Sequence, residues 1–292
     1  MWLHVTLLLL TFGTTTLVGA LHYASFDFGA GHQIDVTRGT FYLRGLWYSL
    51  AVLLILGAHE MGHYVMCRRY NTDASLPYFL PMLLPIPFQI GTLGAVIRIR
   101  EPFANRKVLF DIGIAGPIAG FAVLLPILFI GLAMSSVMPV PTEGLVVNIG
   151  EPLLFKAAAR LVFGALPSNQ TINVHPLVLA AWFGMLATAL NLLPFGQLDG
   201  GHITYAAADR ISTPISLATV TFAIVMTFLS RSWILMTALM LVMLWLLGPR
   251  HPRVLNEYEQ LGSGRRALAL FAFVMLVLCF TPVPLEFVFL QH

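Results

Sequence analysis

Seven apolar runs divide the chain, at residues 2–20, 45–66, 107–134, 174–193, 213–230, 232–248 and 267–285, with polar intervals between them. Nearly uncharged runs of about 17–25 residues are long enough to cross a hydrocarbon layer roughly 30 Å thick as helices. The expectation is an all-α polytopic membrane protein with about six to seven transmembrane helices. The first run ends in small residues but no basic region precedes it, so it reads as a retained helix rather than a cleaved signal. The mixed stretch 22–44 reads as a loop with solvated His22 and His32. In the longest polar interval, 135–173, Glu151-Pro152 precedes Leu-Leu-Phe-Lys-Ala-Ala-Ala-Arg, the beginning of a short helix expected to lie on the membrane surface.

The apolar stretch 76–100 does not read as a spanning helix. Pro77, Pro81, Pro85 and Pro87 crowd its first half, and proline in a helix interior removes a hydrogen bond and clashes with the preceding turn. Gly91 and Gly94 follow, and from Ile97 the residues alternate with the two-residue period of a strand. A short re-entrant β-hairpin is expected here, with its backbone covered by protein or a wet cavity; the alternative is a simple surface loop. The run 107–134 carries Gly113, Gly116, Pro117 and Gly120, small residues that are expected to pack it closely against 45–66. Asp111, near its start, is expected at the interface or paired with an arginine.

The composition agrees: 58% of residues are hydrophobic and only 10% are charged, against about 25% charged in soluble domains. The net charge of +3 does not point to nucleic acid, because the arginines fall mainly in short loops, where they orient a membrane protein. If 45–66 ends on the cytoplasmic side, the segments 67–107, 196–212 and 249–266 face the cytoplasm with eleven of the sixteen Lys and Arg residues. Cys67 and Cys279 imply no disulfide framework.

Candidate chemistry lies late in the second run, which reads Ala58-His59-Glu60-Met61-Gly62-His63-Tyr64. Residues four apart share one face of a helix, so His59 and His63 reach one metal ion with Glu60 beside them. Two imidazoles hold Zn²⁺ at roughly 2.0–2.1 Å and leave room for a third protein ligand and a water, and a neighbouring carboxylate is suited to take the water's proton. Ionisable groups in a spanning segment are costly and point to function. Cys67 extends the series, but ligands at i, i+4 and i+8 spread over about 12 Å of helix axis, so it is assigned to packing. Asp199, in Asn191-Leu-Leu-Pro-Phe-Gly-Gln-Leu-Asp-Gly-Gly-His202, is the best third ligand: Pro194 ends the fourth run, and Gly200 and Gly201 permit a tight turn. Alternatively, Asp199 caps a helix. His202 is either a neighbour supporting Asp199 or an interfacial imidazole, and the other histidines sit at run ends or termini.

These two stretches resemble the paired motifs of the site-2 proteases, the intramembrane zinc metalloproteases. The likeness rests on His59-Glu60-Met-Gly-His63 in one run and Asn191-Leu-Leu-Pro194-Phe-Gly-Gln-Leu198-Asp199-Gly200 in a later one, and spans about residues 45–202. It implies one zinc ion held by His59, His63 and Asp199, Glu60 as general acid/base, Asn191 near the substrate backbone or the oxyanion, and a re-entrant β element at 76–100. The chain then divides into a first helix and loop (1–44), a catalytic membrane core with the zinc site (45–202) and further C-terminal helices (203–292), all one membrane domain. Many members carry an extra ligand-sensing or peptide-binding domain, for which the polar intervals here are too short. The implied reaction is hydrolysis of peptide bonds in or near transmembrane segments of membrane-protein substrates, within a lipid bilayer and without nucleic acid. The expected location is the cell membrane with the active site towards the cytoplasm, or towards the matrix or stroma in an organelle. A membrane zinc-binding or transport protein is the alternative, although translocation needs polar groups in both halves of the bilayer and here they gather near one face.

Overall fold

A computed structural model describes residues 2–32, 39–83, 89–142, 144–248 and 251–290. Nine helices are found among them: α1 (Trp2–Gly29), α2 (Gly39–Arg44), α3 (Leu46–Arg69), α4 (Arg106–Ala133), α5 (Leu153–Phe163), α6 (Pro176–Leu192), α7 (Asp199–Leu229), α8 (Trp233–Leu247) and α9 (Ser263–Cys279). Three two-stranded antiparallel sheets accompany them: β1 (Tyr78–Pro81) with β2 (Thr92–Val96), β3 (Ser136–Pro139) with β5 (Gln170–Asn173), and β4 (Gly144–Ile149) with β6 (Leu285–Leu290). Four stretches are long and apolar enough to cross a membrane: α1, Gly39–Arg69, α4 and α7. Of the other apolar runs, α6 and α8 form shorter helices, so a count of six to seven spans is not reached by length alone.

α6 occupies the centre. Val178, Ala180, Ala181, Trp182 and Met185 are fully enclosed, as expected of a helix that is apolar all round. Against it pack α4, through Leu124 and Leu128, and α3, through Ile55, in one continuous core. α1 lies close to α3: a Cβ on Gly45 would stand 2.1 Å from the Thr16 carbonyl oxygen, and the Thr15 and Ser49 hydroxyls bond at 2.7 Å. Asp111 pairs with Arg265 through two hydrogen bonds of 2.8 and 2.6 Å and accepts another from the Tyr70 hydroxyl.

Several elements depart from the sequence reading. Much of 22–44 is helical, with residues 33–38 outside the described set: α1 continues to Gly29, its last turn held where Asn173 Nδ2 donates to the Phe26 carbonyl. His32 is exposed, but His22 is buried, with Nε2 2.9 Å from the Gln89 carbonyl oxygen. The run expected at 213–230 belongs to a helix starting at Asp199, broken at Ala208 (φ −147°, ψ 51°), whose polar first part is covered by neighbouring segments. The last run ends as a helix at Cys279; Pro282 and Pro284 follow and the chain turns into β6. The interval 135–173 holds three strands besides α5, which begins one residue after Pro152.

The stretch after α3 forms an antiparallel β1–β2 pair, with Tyr78 opposite Val96 and an irregularity between Leu80 and Pro81. Pro85 and Pro87 lie outside the described residues. The strand ends at Val96 instead of running on from Ile97, because continuing the register would place Pro77, which has no N–H, opposite Ile97. The hairpin follows α1 closely: His4 Nδ1 lies 3.2 Å from the Pro77 carbonyl oxygen, Thr14 donates to Gly91 at 2.7 Å, and His22 meets Gln89. From residue 4 to residue 22 is roughly 27 Å of helix axis.

Candidate metal centre

His59 and His63 face the same way from successive turns of α3, with their Nε2 atoms 3.1 Å apart. Asp199, the first residue of α7, brings Oδ2 to 3.2 Å from His59 Nε2 and Oδ1 to 3.3 Å from His63 Nε2. Donors on bonds of 2.0–2.1 Å around a tetrahedral ion stand about 3.3 Å from one another, so this donor set fits zinc. Both imidazoles are buried, with 7% of each residue exposed. His63 Nδ1 lies 2.7 Å from the Ile112 carbonyl oxygen; a carbonyl only accepts, so Nδ1 carries the proton and Nε2 offers its lone pair to the cluster.

The wall of the site is a glycine face of α4. A Cβ on Gly116 would fall 2.1 Å from His63 Nε2, one on Gly120 3.2 Å from His59 Cβ, and one on Gly113 3.0 Å from His202 Cβ. Gly116 and Gly120 pack α4 against α3 as expected and also give the two imidazoles their room, a role the sequence reading did not assign, whereas Gly113 faces His202 of α7 instead of α3. The spacing of the three at i, i+3 and i+7 was the available signal.

Asp199 is delivered differently from the expectation. The reversal is at Gly196, whose φ of 52° favours glycine, while Gly200 and Gly201 already belong to the first turn of α7. Their Cβ atoms would meet the Leu192 and Gly196 carbonyl oxygens at 2.1 and 2.3 Å, so close approach is what they permit. Leu198 is the cap residue, and the Asp199 carboxylate faces the imidazoles. An acid in the first turn is also favoured by the helix dipole.

Glu60 is buried beside the donors, with the backbone amide of Ile97 facing its carboxylate. Asn191, on the last turn of α6, has Nδ2 3.4 Å from His59 Nε2. Cys67 is fully buried with Val108 and Ile112, in the packing role assigned to it. His202 has its hydrogen-bond partner in His251, at 2.6 Å, a residue the sequence reading left without a role. His175 caps α6 by accepting from the Leu177 amide, and His292 lies outside the described residues.

The chain is 36% identical over 179 residues to the probable zinc metalloprotease EGY2, chloroplastic, of Oryza sativa subsp. indica, covering 59% of this chain and 31% of that protein. It is 31% identical over 245 residues to the probable zinc metalloprotease EGY1, chloroplastic, of Arabidopsis thaliana, covering 80% of this chain and 42% of that one. The chain thus spans less than half the length of these relatives. Their names place them in chloroplasts and give no support to a plasma-membrane location. The profile of Peptidase family M50 matches residues 47–232, which include both histidines, Glu60, Asn191 and Asp199. With more than half of its length matched, the chain belongs to peptidase family M50.

Proposed function

We propose that this chain is an intramembrane zinc metalloprotease that hydrolyses peptide bonds in or near the transmembrane segments of membrane proteins. The observation that carries the reading is the buried donor set of His59, His63 and Asp199, on two helices long enough to span a membrane, with Glu60 next to the first ligand. Zinc held there supplies Lewis-acid chemistry, lowering the pKa of water towards about 7 and polarising the scissile carbonyl. Glu60 takes the proton of the attacking water and returns it to the leaving nitrogen. The Asn191 amide, beside His59, donates to the carbonyl oxygen as charge gathers on it.

A carbonyl within a helix is bonded and screened, so the substrate must unwind before it reacts. The β1–β2 hairpin, lying along α1, enters the bilayer beside the site, and β2 offers an edge that takes the unwound segment as an added strand. The charge distribution favours the Arg68 and Arg69 end on the cytoplasmic side, which in an organelle is the matrix or stroma.

The test is cleavage of a single-span substrate by the purified protein in detergent, wild type against Glu60→Gln, with bound zinc measured in both. Product from wild type alone, with zinc retained in both, is expected. No product from wild type across several substrates, with zinc bound, would move the assignment to zinc binding or transport.

A further inference from the structure

We propose that the linker between α8 and α9, acting through His251, positions the Asp199-bearing part of α7 and thereby sets how tightly the site holds its metal. The inference rests on the metal-centre reading above. It concerns residues beyond 232, where the family match ends.

The need for a brace follows from the break in α7. Because Ala208 leaves helical geometry, residues 199–207 are not stiffly continuous with the long part of the helix that follows. One side of this short segment is pinned by Gly200 and Gly201 against the backbone at 192–196. Its other side presents His202 and Tyr205, one turn apart, and the linker holds both. His202 Nδ1 and His251 Nε2 are 2.6 Å apart. The His251 ring stacks on Tyr205 with centroids 4.4 Å apart at 18°, and the Tyr205 hydroxyl donates to Glu257 Oε1 at 3.2 Å.

The direction of the imidazole pair can be assigned. His251 Nδ1 lies 2.6 Å from the Pro252 carbonyl oxygen, which only accepts, so Nδ1 donates and Nε2 is left to accept from His202 Nδ1–H. Burial lowers the His251 pKa, in keeping with a neutral ring. His251 therefore fixes both the tautomer and the rotamer of a residue one helical turn from Asp199.

The linker is anchored in turn. The amides of Leu255 and Asn256 donate to the Phe103 and Ala104 carbonyl oxygens at 3.0 and 2.9 Å, and Lys107 Nζ meets Glu259 Oε1 at 2.8 Å. Just past the break, Arg106 binds Asp209 at 2.5 Å. One polar layer thus joins the start of α4, the linker and the first part of α7, and a loosened brace lets Asp199 drift from the imidazoles.

The experiment measures zinc affinity and release by chelator competition on the full chain in detergent, for wild type, His251→Ala, His251→Gln and Glu257→Ala. His251→Ala is expected to release zinc about tenfold faster, the low end for residues that orient a metal ligand. His251→Gln, whose amide still reaches His202, should recover most of the loss, and excess zinc should restore turnover in His251→Ala with KM unchanged. Glu257→Ala, which frees Tyr205, should show a smaller loss and decides the matter if His251→Ala does not fold. Wild-type affinity and release rates in the folded variants would overturn the inference alone. A wild-type protein that binds no zinc would overturn the metal-centre reading, and the inference with it.

Discussion

Gly116 is where a single added methyl group meets the metal site directly. Its Cβ would lie 2.1 Å from His63 Nε2, well inside contact distance, and a Cβ has no rotamer by which to move away. The imidazole must swing off the cluster or α4 must shift. Gly116→Ala is therefore expected to lower zinc retention at least tenfold, measured as metal content after dialysis against a weak chelator. Gly264→Ala, where nothing stands within 4 Å, should behave as wild type. The donor set was legible in the sequence because His59 and His63 announce themselves by spacing within one helix, and Asp199 by its place after an apolar run. Gly116 was legible only as packing, because which side chain it faces depends on how a second helix is rotated. His251 was illegible, since its partner His202 lies 49 residues away and no local period connects them.

Among the elements, the β1–β2 hairpin carries the next expectation. Among the described residues β2 pairs only with β1, so if its other edge receives the substrate, a proline there removes a donor and obstructs an added strand. Val96→Pro should slow cleavage more than Ser168→Pro in an exposed turn, and helix-breaking residues in the substrate should speed it. Equal rates across these variants would sink strand capture. Val96 is a cleaner position than Ile97, whose amide faces Glu60. The hairpin could be anticipated because prolines and glycines exclude a helix at 76–100. The strands of 135–173 could not: they are four to six residues long, and β4 finds its partner at the far end of the chain. Helix ends were misjudged where contacts outweighed hydropathy, as at His22 and in the polar start of α7.

For the whole molecule, a metal held by His59, His63 and Asp199 would join parts of the chain that are otherwise far apart in sequence. The imidazoles belong to α3 and the carboxylate to α7, and between them α4 and α6 form the core. Without a cation, the Asp199 carboxylate is left, among the described residues, with its contacts to two imidazoles, and the broken first part of α7 depends on the 192–196 turn and the linker. A ligand that binds only the folded state stabilises it by RT ln(1 + [L]/Kd), about 4 kcal/mol at a thousandfold excess over Kd. For a chain of this size that corresponds to a rise in Tm on the order of 10 °C. Stripping the metal from the wild type should lower its Tm by that order, and adding zinc back should restore it. The same treatment should leave His59→Ala/His63→Ala unmoved, because both imidazole ligands are gone. A wild-type Tm indifferent to the chelator would mean that α3 and α7 are held together by packing alone. A Tm that falls equally in the double variant would place the stabilising metal elsewhere in the protein.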